Sequence, residues 1–270
     1  MRVGVCIVTC DRPEFLDKTI WSLRGDYSHI IVVDNGVDPL PTKEVAIKHN
    51  SRVIDGGRSN SPHGQNLGLE YLAQTAKCDV ILKSDDDILY GPDYVTTLCK
   101  TYRKFEGLAA AVCGTCWSEP HSETIHKEGD RWLTEEGKQI SGECVIMYRF
   151  REPCLTSVRH MHGSFLYSVE EALQLREKTL ELRGGAFPEY YSPVAHREET
   201  EFSLCLKQIQ RKLLIYNSHA VCYHHYAPGG IRKHKDWGYL QHCDDIRFRN
   251  IVGKLKLDAT IDPNDVGVLT

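Results

Sequence analysis

The chain has 270 residues, 41% hydrophobic and 26% charged, with a formal net charge of -4. That balance fits one large α/β domain or two small ones. It excludes a disordered chain and disfavours sequence-blind binding to nucleic acid, which needs a basic footprint. No apolar run approaches the roughly 20 residues that span a bilayer. The chain enters a strand-like run with no leader-like segment before it, so a cytoplasmic protein is expected, free or resting against a membrane.

The first half alternates strand and helix signals. Val3 to Val8 is an apolar run suited to a buried parallel strand. Pro13 suits a first helical turn, and Phe15, Leu16, Thr19, Ile20 and Leu23 follow at helical spacing. Ile30 to Val33 reads as a second strand, closed by the turn signal Asp34-Asn35-Gly36, and Arg52 to Ile54 as a weak third. A helix face runs through Leu69, Leu72, Ala73 and Ala76. Asp79 to Lys83 is a fourth strand, the helix of Val95, Leu98, Tyr102 and Phe105 follows, and Ala109 to Cys113 is a fifth strand. This order predicts a Rossmann-like, doubly wound, mostly parallel sheet, with ligands beyond the carboxyl ends of its strands.

The second half is less regular. Residues 117–143 read as an excursion, a hairpin among the options. Ser164 to Tyr167 is strand-like, and Ser168 with Glu171 fits a capping box for a helix ending near Arg183-Gly184. A helix from Glu198 to Arg211 carries Phe202, Cys205, Leu206 and Ile209 on one face. Two strands, Leu213 to Tyr216 and Ala220 to Tyr223, precede a basic, partly helical tail. One domain is the simplest organisation.

The 11 cysteines, odd in number and irregular in spacing, point to reduced thiols. Cys113-Gly-Thr-Cys116 is a CxxC, which Cys144 and Cys154 would complete as a zinc site; the plainer reading makes Cys113 a small buried hydrophobe.

Lys83-Ser84-Asp85-Asp86-Asp87 is the strongest chemical signal. Successive carboxylates at a strand end repel one another and need a cation or strong donors. Alternation puts Asp85 and Asp87 on one side, as hard oxygen ligands for Mg²⁺ or Mn²⁺; a solvated acidic turn is the alternative. Asp34, also at a strand end, suits a ribose hydroxyl or an Asx turn. Glu198-Glu199-Thr200-Glu201 opens a helix, where the dipole favours acids for structural reasons alone. Glu198 and Glu199 lie nearer the apolar face than Glu201, and spacing does not choose between them. Of the adjacent His224 and His225, at most one readily faces a given metal.

In that order these segments resemble family 2 glycosyltransferases of the GT-A fold. Val8-Thr-Cys-Asp-Arg-Pro13 resembles their opening strand and turn, and Val32-Val-Asp-Asn-Gly36 their second strand. Gly64-Gln-Asn-Leu-Gly68 resembles a stretch ending in Arg-Asn, with Gln65 where Arg is usual. Leu82 to Ile88 resembles the DXD motif and Gly163-Ser-Phe-Leu-Tyr167 the glycine-led strand near the acceptor pocket. Glu198 to Glu201 resembles the Glu-Asp motif, with Glu199 where Asp is usual, and Val221-Cys-Tyr-His224 a late strand with a metal-binding histidine.

The resemblance implies a GT-A α/β fold with a smaller mixed acceptor-side region. Residues 1–115 would form a nucleotide-sugar-binding half, 116–230 an acceptor and catalytic half, and 231–270 a basic tail. It implies an inverting transfer from a nucleotide-diphosphate sugar, most often a UDP-sugar, aided by Mn²⁺ or Mg²⁺. Asp87 would be the main metal ligand, Asp85 a metal or ribose contact, His224 a further ligand, and Glu199 the base with Glu198 beside it. Thr9, Asp11, Arg12 and Asp34 would line the nucleoside pocket, with Asn66, Lys83 and Asp86 also against the donor. The acceptor is left open. A sugar nucleotidyltransferase is set aside because Cys10-Asp-Arg-Pro13 lacks a glycine-rich phosphate loop. The remaining alternatives are a non-catalytic sugar- or nucleotide-binding protein of the same fold and, more distantly, a metallohydrolase.

Overall fold

The computed structural model describes residues 1–118, 123–128, 131–140, 149–161, 163–225 and 234–258. Cys144, named above, lies outside them. No described helix is long and apolar enough to cross a membrane.

Four parallel strands build the first half: β1 (Val3–Thr9), β2 (His29–Asp34), β3 (Arg52–Asp55) and β4 (Val80–Asp85). β1 lies between β2 and β4, with β3 outside β2, so the ends of β1, β2 and β4 open on one edge. Helices α1 (Pro13–Ser22), α2 (Pro39–Lys48) and α3 (Ser61–Gln74) make the crossovers. α1 and α3 are the expected helices; α2 was not expected. It buries only Thr42 and Ala46, so it has no apolar stripe to detect, and its start is set by Pro39 and the Asp38 side chain accepting from Leu40 N at 3.0 Å. Gly68 lets α3 approach the sheet, since a Cβ there would sit 2.2 Å from Cys6 Sγ.

After β4 come a short β5 (Ile88–Tyr90), helix α4 (Tyr94–Lys104) and β6 (Ala109–Trp117), which runs past the expected Cys113. Residues 124–150 contribute β7 (Thr124–Glu128), β8 (Arg131–Thr134), β9 (Gln139–Ile140) and β10 (Arg149–Phe150), a separate sheet ordered β10-β7-β8-β9. The expected hairpin is the antiparallel β7–β8 pair. Next come β11 (Leu155–Ser157), β12 (Phe165–Ser168), α5 (Val169–Arg183), α6 (Glu198–Gln208), β13 (Leu213–His224) and α7 (Trp237–Leu255). The two expected late strands are one strand, β13, whose register slips between Tyr216 and Val221.

The large sheet runs β11-β13-β6-β12-β4-β1-β2-β3, with β5 also paired to β13. β12 is antiparallel to both its neighbours, β4 and β6, setting Phe165 opposite Lys83 and Cys113. The sheet is therefore mostly parallel with antiparallel insertions. One apolar core runs through it from Val3 to Leu257, with Phe165, Tyr167, Phe187 and Phe202 packed ring against ring between the sheet and α6. Cys113 and Cys116 are buried in β6, and Cys116 pairs in register with Cys222 of β13. The described cysteines are free thiols.

Candidate active site

A cavity of about 690 Å³ opens over the carboxyl ends of the parallel strands. Thr9, Asn35 and Asp85, at or just past the ends of β1, β2 and β4, line one side; Glu198 and Glu199 of α6 line another; α7 closes a third.

Asp85 ends β4, Asp86 and Asp87 form the turn after it, and the three side chains separate. Asp86 turns inward and is fully buried; it accepts from Thr9 Oγ1 at 2.6 Å and is gripped by the Arg12 guanidinium, whose Nε lies 3.1 Å away. Burial pushes its carboxyl up to about 7, against the pull of Arg12 and with the push of Asp87. Its place is beneath the site, anchoring β1 and α1 to the acidic turn. Asp85 and Asp87 both face the cavity.

Asp87 meets His224 from the end of β13, with Oδ1 3.3 Å from Nε2, while its Oδ2 accepts from Arg12 at 3.0 Å. The pairing of β5 with β13 sets Ile88 opposite His224 and so brings the two side chains together. His225 gives its backbone N–H to the Asp87 carbonyl, at 2.8 Å, and its side chain is exposed. One carboxylate oxygen and one imidazole nitrogen make a donor pair that suits Mn²⁺ and leaves positions for substrate oxygens. Asp85 lines the cavity beside this pair, and its Oδ1 accepts from Lys83 Nζ at 2.8 Å. Among the described residues no group of three or more His, Cys, Asp or Glu side chains converges on one ion position.

Lys83 is 1% exposed, and its ammonium also donates to the Gly163 carbonyl at 3.0 Å and to Glu199 Oε1. The Gly163 N–H donates to Glu199 Oε2 at 3.0 Å. Gly163 has φ 69°, a left-handed conformation that glycine takes without strain, and so presents both backbone groups to the Lys83–Glu199 pair. Lys83 thus organises acids instead of reaching toward a donor. Glu198, buried beside Glu199, has its carboxyl held well above the ordinary range by burial and then by the charge on Glu199. Glu201 turns away from the cavity; it accepts from Arg183 Nε and the Tyr191 hydroxyl, each at 2.8 Å, and from Tyr190. Helical spacing had set it apart from the other two glutamates.

The other candidates divide. Thr9 and Arg12 line the cavity. Asp34 is buried, and its Oδ1 closes the Asx turn by accepting from Gly36 N at 2.8 Å. Asp11 is exposed, with φ 53°, and its Oδ1 accepts from Val37 N at 2.8 Å. Asn66 engages both backbone groups of Phe187, at 2.9 Å each, and Glu189. It tethers α3 to the segment before α6, so both ends of its amide are taken.

Sequence reasoning missed the α7 wall. Asp244, fully buried, accepts from Ser192 N at 2.9 Å, Ser192 Oγ at 2.6 Å, His196 N at 3.0 Å and Arg247 Nη1 at 2.7 Å. It docks α7 on residues 192–196, which lead into Arg197 (φ 79°) and the two glutamates. The tail had been read by its basic charge alone, which hid this buried acid.

The sequence model described as Glycosyl transferase family 2 matches residues 4–158. No curated protein sequence matches the chain. Among solved structures the chain is similar to GalNAc-T7, crystallised with UDP, GalNAc and Mn²⁺, at 15% identity and a TM-score of 0.56, over 85% of this chain and 44% of that one. It is also similar to S. aureus TarS, at 14% identity and a TM-score of 0.56, over 96% of this chain and 41% of that one. The chain therefore spans less than half the length of these two, and at such identities the likeness is one of fold.

Proposed function

The chain belongs to glycosyl transferase family 2 and has the GT-A fold, and on that premise we propose that it moves a sugar from a UDP-sugar to an acceptor hydroxyl with inversion. The observation that carries this reading is Asp87, paired with His224, lining the same cavity as Glu198 and Glu199. Asp87 and His224 would hold Mn²⁺ or Mg²⁺, which neutralises charge developing on a leaving diphosphate. GalNAc-T7, crystallised with UDP and Mn²⁺, supports both donor class and metal.

The chain's own residues then have distinct roles. Thr9, Arg12 and Asn35 bound the donor end of the cavity, and Asp85 borders the sugar-nucleotide path. Glu199 is the base that takes the proton from the acceptor hydroxyl, held in place by Lys83 and the Gly163 amide. Glu198, its carboxyl pushed up beside an ion-paired Glu199, is the poorer candidate for a carboxylate at neutral pH. A binding-only protein of this fold would not need two glutamates beside a cation-fit pair.

The test is a pair of isosteric changes. Glu199→Gln should lower transfer by about 10² to 10⁴ while keeping donor binding, and Glu198→Gln should cost far less. The reverse order would move the base by one residue, and normal transfer in both would refute base catalysis by this pair.

A further inference from the structure

We propose that the α7 end of the cavity is a subsite for a phosphate-bearing acceptor, a reading that deepens the donor site proposed above. The cavity is electrically polarised. At the sheet end, among the described residues, Asp85, Asp87, Glu198 and Glu199 line the cavity, with Arg12 beside them and Lys83 buried between Asp85 and Glu199. That excess of carboxylate attracts a metal and repels a bare anion. At the other end stand Arg159, Arg197 and Arg249. Asp245 lies 2.9 Å from Arg197 Nε and Asp258 3.8 Å from Arg159 Nη2, so among the described residues three guanidinium groups gather with these two carboxylates.

This end is built. Arg159 is 8% exposed, so a guanidinium, ion-paired with Asp258, is held in the wall. Arg197 is fixed in a left-handed backbone conformation at the start of α6, next to Glu198 and Glu199, and its side chain is steered by Asp245. Arg249 projects from α7, which the buried Asp244 docks against residues 192–196. Trp237 and Phe248, on the same helix, add flat apolar surface. Guanidinium groups match phosphate by paired, charge-assisted hydrogen bonds, and aromatic faces suit a sugar or an acyl chain beside it. Arg197 directly precedes Glu198 and Glu199, so a phosphate held on it would bring an attached hydroxyl near the base.

A donor diphosphate needs the metal at the acidic end; a phosphate at the α7 end does not. The protein in EDTA, without donor, is therefore titrated calorimetrically with glycerol 3-phosphate, with glycerol as control. Glycerol 3-phosphate should bind and glycerol should not, and Arg249→Gln and Arg159→Gln should each weaken binding about tenfold or more. Arg249 is exposed, so its replacement tests the claim even if Arg159→Gln misfolds. UDP affinity in Mn²⁺ should be kept in Arg249→Gln. Sedimentation with phosphatidylcholine vesicles containing phosphatidic acid, against phosphatidylcholine alone, separates the sources. Pelleting lost in Arg249→Gln makes the phosphate lipid-borne; glycerol 3-phosphate binding without pelleting makes it soluble; both support the subsite. Equal behaviour of glycerol 3-phosphate and glycerol overturns it, as does an Arg249→Gln protein that loses UDP instead. Because this assay uses neither metal nor donor, its failure leaves the transferase reading standing, and failure of the donor reading leaves the subsite standing.

Discussion

Replacing Lys83 by Met removes one ammonium and keeps most of the side-chain volume. Lys83 is buried and contacts Asp85 at 2.8 Å, the Gly163 carbonyl at 3.0 Å and Glu199. Without it, Asp85 and Glu199 lose the buried ammonium they share. Breaking a buried pair from one side costs about 3–5 kcal/mol, because the remaining charge stays desolvated. That is a large share of the roughly 5–15 kcal/mol that holds a domain together. The cost is pH-dependent. Burial raises the Glu198 carboxyl and Lys83 lowers it, so losing the ammonium raises that carboxyl further, and stability falls as pH rises and returns as it protonates. Urea unfolding of Lys83→Met should show the full loss at pH 8 and a smaller one at pH 5, at an unchanged m-value. Adding Glu199→Gln should restore part of the loss, a coupling the double-mutant cycle reads directly. A loss below about 1 kcal/mol at both pH values, or strictly additive changes, would refute the view that Lys83 holds these acids together.

Asp87→Ala and His224→Ala should each abolish the tightening of UDP binding by Mn²⁺, and His225→Ala should leave it; fluorescence titration with and without metal decides. Glu198→Gln should raise thermal stability at pH 8, with the gain shrinking toward pH 5. The wild-type carboxyl is held above its unfolded value by burial and Glu199, so stability is lost as pH rises through its folded pKa. Calorimetric melting of both proteins across that range checks the sign, and a destabilised Glu198→Gln at pH 8 would contradict it.

Local signals account for much of the fold. The apolar runs at Val3, Ile30 and Val80 became parallel strands because a strand buried on both faces must be apolar throughout. Asp86 turns away from Asp85 and Asp87 through the turn after β4, not through strand alternation. Long-range choices were not legible. Ser164 to Tyr167 reads as a strand, but the antiparallel insertion of β12 between β4 and β6 depends on partners far along the chain. That insertion carries Gly163 to Lys83, so a lysine that reads as a donor contact is an internal counter-ion. Asn66 reads as a ligand contact, yet the Phe187 backbone takes both its groups. Nothing near Asp244 in sequence announces that residues 192–196 will cover it.

The most direct test of the central claim is nucleotide release. The purified chain is incubated with a panel of nucleotide sugars, in Mn²⁺ or in EDTA, and free nucleoside diphosphate is measured. Release from a UDP-sugar in Mn²⁺, lost in EDTA and in Asp87→Ala, is the predicted result. Undiminished release in EDTA, or no release from any donor in the presence of metal, would contradict the account.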